Sequence, residues 1–216
     1  MKAFIFDMDG TILNSMACWY SIGNRILKMN GLDEELPPSS LERLTLYQGM
    51  VMIKEVYKIE KSVEELEREV YEYIYGQYRN YFTLKEGTIE LFDYIKENGG
   101  RIGLATATDM KYVKGFLENQ KGIEKYFDFI ETVKNEGPTK NEPEFFLKAV
   151  KNFVERPEKV FMFEDAPHAM EAAKKAGMIV VGIIEDTRKD LRDLAIEISD
   201  YHFESIVDID RSIFGF

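Results

Sequence analysis

Two acidic pairs stand where a catalytic cleft could use them. Asp7 and Asp9 lie in the run Asp7-Met8-Asp9-Gly10-Thr11, directly after the apolar run KAFIF. Glu164 and Asp165 close a second apolar run, KVFMFE. Short apolar runs bounded in this way read as buried strands. In open parallel sheets, ligands bind beyond the carboxyl ends of the strands, so both pairs are placed to converge on one cleft. Gly10 permits the sharp turn that aims Asp7 and Asp9 together. Carboxylates gathered in one cleft repel and raise one another's pKa values, and a divalent cation relieves this. Oxygen donors without His or Cys suit Mg²⁺. Each pair also has a plainer reading: DMDGT as a capped turn, and Asp165 as a helix N-cap accepting from the backbone of residue 167 or 168.

A third apolar run, RIGLATA, ends at Thr106. Its hydroxyl, with the backbone N–H of Ala107 and the start of the next helix, can hold a phosphoryl oxygen. Lys140, in GPTKNEP, precedes a helix in an acidic neighbourhood and can bring positive charge to the cleft; Lys134 competes for that part. His168 reads as a residue of a helix's first turn.

These residues need elements to position them. A fourth apolar run, MIVVGII, joins the three above, and helical patterns at 87–98, 142–153 and 166–176 lie between them. The second has a proline in its first turn, where a missing N–H costs nothing. Such alternation predicts a parallel α/β sheet with right-handed crossovers. Residues 15–82 break the pattern: they hold no strand-like run and read as three or four helices, with Gly31 and Pro37-Pro38 at a turn and a capping box between Ser62 and Glu65. The expected organisation is a Rossmann-like α/β core of residues 1–14 and 83–216, with a helical cap domain of residues 15–82 inserted after the first strand. Its linkers are expected near 14–16 and 82–86. The tyrosines of residues 67–82, Tyr78 among them, sit mostly among glutamates and read as packing rather than as a nucleic-acid stacking surface.

Asp7-x-Asp9-Gly10-Thr11, Thr106, Lys140 and Glu164-Asp165, in that order at strand ends, resemble the four motifs of the haloacid dehalogenase-like hydrolase superfamily. The resemblance covers essentially the whole chain and is to the branch containing beta-phosphoglucomutase and phosphoglycolate phosphatase. The stretch MFEDAPHAMEAAKKAGM is similar to the last motif and its helix. The chain departs from the common pattern at Asn141, where Lys140-Asn141-Glu142-Pro143 replaces a frequent Lys-Pro-x-Pro, at Ala169, often Gly, and at Asn14, often Asp; none of these departures touches a group that phosphoryl transfer needs.

The resemblance implies a magnesium-dependent phosphatase. Asp7 is the nucleophile that forms an aspartyl phosphate, and Asp9 is the acid and then the base. Thr106 and Lys140 hold phosphate oxygens, with Gly10 and Ala107 beside them. Mg²⁺ is held by Asp7, the Asp9 carbonyl, Glu164 and Asp165. A carboxylate at Asp9 argues against the dehalogenases and phosphonatases, which lack one there. A phosphosugar mutase is the alternative. It needs a cation for a second phosphate, but the matching positions carry Trp19 and, if Leu46-Tyr47-Gln48-Gly49 is the cap's specificity loop, Met52; the nearest cation is Lys54.

Composition agrees. The 216 residues are 45% hydrophobic, enough for a core. The formal net charge of −11 argues against nucleic acid and anionic membranes. The one cysteine, Cys18, is read as a small buried apolar residue and fits a reducing cytosol. No signal peptide or membrane span is recognised. A cytoplasmic enzyme, monomer or weak homodimer, acting on a small phosphorylated metabolite is expected.

Overall fold

In the computed structural model, residues 2–41, 44–133, 137–153, 155–185 and 187–216 are described. Lys134 lies outside them. The strands are β1 (Ala3–Phe6), β2 (Arg101–Thr106), β3 (Phe127–Thr132), β4 (Val160–Glu164), β5 (Ile179–Ile183) and β6 (Tyr201–Phe203). The helices are α1 (Met16–Met29), α2 (Leu46–Tyr57), α3 (Val63–Asn80), α4 (Thr88–Glu97), α5 (Met110–Asn119), α6 (Pro143–Val150), α7 (Pro167–Lys175) and α8 (Lys189–Ile198).

The strands form one six-stranded sheet in the order β3-β2-β1-β4-β5-β6, with every pair parallel. The chain winds outward from β1 on one side, then crosses to β4 and winds outward on the other. Its switch point therefore lies between β1 and β4, where a ligand crevice is expected. All four residues of β1 are buried, because both faces of the sheet are covered. Phe4 and Phe6 face one apolar layer with Phe92 of α4 and Phe214, while Ala3 and Ile5 face the other with Phe145 and Phe146 of α6 and Ala173 of α7.

Two strands were not expected. β3 is a sheet edge whose residues are mostly half-exposed, and β6 has only three residues, two of them exposed. Neither presents the continuous apolar run by which the central strands are recognised. The capping box at Ser62 is present: the Glu65 N–H donates to the Ser62 hydroxyl at 3.2 Å, and the Ser62 N–H donates to the Glu65 carboxylate at 2.8 Å. Cys18 is only partly buried rather than sealed in a core.

Between β1 and α4 the chain forms α1, α2 and α3 and contributes no strand among the described residues. Entry to and exit from this block lie side by side. The Asn14 N–H donates to the Thr83 carbonyl at 2.9 Å, and its side-chain amide donates to the Thr83 hydroxyl at 3.1 Å. The block does not stand apart from the sheet. Tyr78 of α3 stacks on Tyr112 of α5, 5.6 Å between ring centroids, and both belong to the same apolar cluster as Phe4 and Phe6. No helix among the described residues is long and apolar enough to cross a membrane.

Candidate active site

Strand register assembles the site. Phe6 of β1 pairs with Phe163 of β4, and the Asp7 N–H donates to the Phe163 carbonyl at 3.0 Å. The next residue on each strand is therefore Asp7 beside Glu164. On the other side Phe6 pairs with Leu104, which puts Thr106 two residues further along β2. Asp7, Glu164 and Asp165 are all buried, and one carboxylate oxygen from each lies within 4.8 Å of the others.

Lys140 closes this cluster from the segment before α6. Its ammonium lies 2.7 Å from Asp7 Oδ1 and 2.8 Å from Glu164 Oε2, and the residue is 6% exposed. Burial would lower its pKa, but the Asp7 and Glu164 carboxylates outweigh this and raise it, so the lysine stays charged. Burial, with Glu164 second, pushes the Asp7 carboxyl up to about 7 despite the opposing pull of Lys140. Burial, Glu164 and Asp7 in turn hold Asp165 well above the usual carboxylate range. One ammonium among three buried carboxylates leaves an excess of negative charge that a dication would cancel. An oxygen-only donor set of this kind fits Mg²⁺.

Asp165 does not act as the helix cap. The residue at the N-terminal boundary of α7 is Ala166, with no side-chain cap, and the Asp165 carboxylate instead accepts from the Thr11 hydroxyl at 3.2 Å. Gly10 makes room for it. Gly10 has φ +82°, and a Cβ there would stand 2.3 Å from Asp165 Oδ2. Gly10, expected beside the phosphate, is itself buried and is not among the residues that line the cavity in front of the carboxylates. Gly10→Ala is therefore expected to cost roughly 1–2 kcal/mol through the left-handed backbone alone, and more through displaced Asp165. Urea unfolding checks it; a midpoint equal to that of the wild type would contradict the crowding.

The cavity in front of the carboxylates has a volume of about 440 Å³ and is lined by Asp7, Asp9, Thr106, Ala107, Lys140, Glu164 and Asp165, among others. All the predicted catalytic and metal residues thus meet in one space. α5 begins at Met110, later than expected, so Ala107 contributes from a loop and not from a helix start. In that loop the Thr108 N–H donates to the Thr106 hydroxyl oxygen at 3.1 Å, which leaves the Thr106 proton free to donate. His168 is exposed at the mouth of the cavity.

Asp9 is held apart from the other carboxylates. Its Oδ1 accepts from the Tyr78 hydroxyl at 2.6 Å, and its Oδ2 accepts from the Thr108 hydroxyl at 2.6 Å. Sequence reasoning treats Tyr78 as packing, does not single out Thr108, and names Thr11 within the first motif without giving its hydroxyl a part. Nothing in a helix rich in tyrosines says which one faces the site. Thr108 had a weak signal, since it stands two residues beyond Thr106 in the same strand-end loop.

The second-phosphate expectation also changes. Residues 46–49 are not a loop but the first turn of α2, capped by Thr45, whose hydroxyl accepts from the Gln48 N–H at 3.2 Å. Met52 is not among the cavity's lining residues, whereas Trp19 and Leu46 are. A cation does stand at the mouth: Lys111 of α5 lies over the Tyr71 ring, 4.2 Å from its centroid.

Residues 4–183 match the family model described as haloacid dehalogenase-like hydrolase. The chain belongs to that family. It is 29% identical over 183 residues to the phosphorylated carbohydrates phosphatase of Thermotoga maritima, covering 82% of each chain. It is 26% identical over 181 residues to the fructose-1-phosphate phosphatase of Escherichia coli, covering 83% of this chain and 94% of that one. Among solved structures, a predicted phosphoglycolate phosphatase from Haemophilus somnus superposes with a TM-score of 0.81 at 21% identity, covering 99% of this chain and 98% of the other; at that identity it speaks for the fold. The protein is an enzyme of this family, a phosphatase.

Proposed function

We propose that the cleft hydrolyses the phosphate ester of a small metabolite in two steps, with Asp7 as nucleophile. Asp7 attacks phosphorus, the P–O bond to the leaving group breaks, and Asp9 gives its proton to the departing oxygen. Asp9 then takes a proton from water, which attacks the aspartyl phosphate, releases inorganic phosphate and restores Asp7. The observation that carries this reading is the convergence of Asp7, Glu164 and Asp165 around the Lys140 ammonium at the switch point of the sheet. Lys140 and Thr106 hold phosphate oxygens as negative charge builds on them. The Asp7, Glu164 and Asp165 carboxylates, with the Asp9 backbone carbonyl, would hold Mg²⁺. Bound there, Mg²⁺ supplies the positive charge that lets an anionic nucleophile approach an anionic phosphate.

Residues 15–82 serve as a cap that covers the leaving group and sets specificity, over a core of residues 1–14 and 83–216. Trp19, Leu46 and Tyr71 supply apolar walls from that block, and a cavity of about 440 Å³ suits a monosaccharide-sized group. The phosphorylated-sugar substrates named for the relatives agree with that size.

Phosphate release from a panel of sugar phosphates and small phosphorylated acids tests the reading. Release is expected to need Mg²⁺ and to fall by about a hundredfold in excess chelator. Full activity in chelator would remove the metal from the proposal. The Lys111 ammonium at the mouth of the cavity favours one second reading, transfer between positions of a phosphosugar. Glucose 6-phosphate formed from β-glucose 1-phosphate faster than inorganic phosphate, with catalytic glucose 1,6-bisphosphate present, would establish it.

A further inference from the structure

The Asp9 carboxylate is tied to the helical block through one buried hydroxyl. Tyr78 is 0% exposed, sits on α3, and donates to Asp9 Oδ1 at 2.6 Å. A phenol has one proton, and here that proton is committed to Asp9. The Trp19 indole N–H, from α1, donates to the Tyr78 oxygen at 3.3 Å. An indole N–H can only donate. It therefore fills a lone pair of the phenol and keeps the phenol's own proton turned toward Asp9. Thr108 secures the other carboxylate oxygen from the β2–α5 loop. The ring of Tyr78 is fixed independently, between Tyr112 at 5.6 Å and Phe82 at 4.9 Å between centroids.

We infer that Tyr78, oriented by Trp19, is a positioning residue for Asp9: it aims the carboxylate that exchanges a proton with the leaving group and with water. This rests on the acid–base part proposed for Asp9. Three facts separate the arrangement from ordinary packing. The phenol is buried with its hydroxyl on a cleft-lining carboxylate. A second donor, the half-buried Trp19 indole, fixes that hydroxyl's direction. Both donors come from the helical block, whereas Asp9 follows β1. Movement of α1 and α3 against the sheet would therefore reach Asp9 through this hydroxyl.

Leaving-group dependence reads out such a part where simple damage does not. kcat/KM covers the steps through departure of the leaving group. A nitrophenolate leaves without a proton, whereas a phenolate benefits from one. In Tyr78→Phe, which keeps the ring and its packing, kcat/KM with phenyl phosphate is expected to fall at least about tenfold, against less than about threefold with 4-nitrophenyl phosphate. Trp19→Phe is expected to give the same contrast between the esters with a smaller amplitude, and to add nothing further to that contrast in the Tyr78→Phe background, whatever it costs both esters alike as a wall of the cavity. Equal losses on both esters or no loss on either in Tyr78→Phe, or additive effects of the two substitutions on the contrast between the esters, would overturn the inference. Should Tyr78→Phe fail to fold, Trp19→Phe alone carries the test by the same contrast between esters. If Asp9→Asn lacks that contrast while the wild type is active, the acid–base reading of Asp9 fails, and this inference with it. A Tyr78→Phe enzyme without the contrast, beside an Asp9→Asn enzyme that has it, sinks the positioning role alone.

Discussion

Asp7→Asn is expected to lower turnover by at least about a thousandfold while leaving the protein folded, because it removes the covalent route and changes almost no volume. The structure adds a second expectation. Asp7 belongs to a buried cluster with more carboxylates than cations, and burial and Glu164 both press its carboxyl toward protonation. Neutralising it relieves that repulsion, and Lys140 keeps Glu164 as a partner at 2.8 Å. Metal-free Asp7→Asn should therefore melt no lower than the metal-free wild type. Retention of more than a tenth of the activity would reassign the nucleophile. A large drop in melting temperature would show that Lys140 depends on Asp7 more than on Glu164.

Asp9→Asn is expected to separate the two chemical steps. With 4-nitrophenyl phosphate the leaving group departs unaided, so Asp7 is still phosphorylated. Water then lacks a base, and the phosphoenzyme persists. Steady-state turnover should fall by about a thousandfold, within the range that acid–base groups contribute. Acid quenching with labelled substrate should trap close to one phosphate per chain in the variant and much less in the wild type. Normal substrate binding with no trapped label would reject the part given to Asp9. An amide offers one acceptor oxygen where the carboxylate has two, so one of the Tyr78 and Thr108 hydroxyls loses its acceptor. That is a local cost which leaves the ion pairs of Lys140 with Asp7 and Glu164 in place.

Several features were legible from residue order alone, for one physical reason. The central strands β1, β2 and β4 are covered on both faces, so each must be a short, continuous apolar run, and each has a chemical residue at its carboxyl end. Asp7, Thr106 and Glu164-Asp165 were therefore found with their elements. The absence of such runs between residues 15 and 82 likewise pointed to a helical block, and the Ser62–Glu65 box marked the start of α3. β3 and β6 were not legible, because edge strands carry polar residues and too few buried ones to stand out.

Tertiary structure alone decided which groups touch. The β1–β4 register makes Asp7 the neighbour of Glu164, and pairing across strands far apart in sequence leaves no local mark. Lys140 could be placed near the cleft from sequence, but its bridge between Asp7 and Glu164 depends on where the chain passes before α6. The helix-cap reading of Asp165 failed because α7 is bounded by Ala166, one residue further on, and the Asp165 carboxylate accepts instead from the Thr11 hydroxyl, 154 positions away in the chain. Tyr78 is the clearest case. Several tyrosines share its helix, and only the packing of α3 on α5 turns this one to Asp9. Local sequence determines backbone conformation and burial, which are short-range properties. The direction of a single hydroxyl is set by rings and strands distant in the chain, and only the folded whole brings those together.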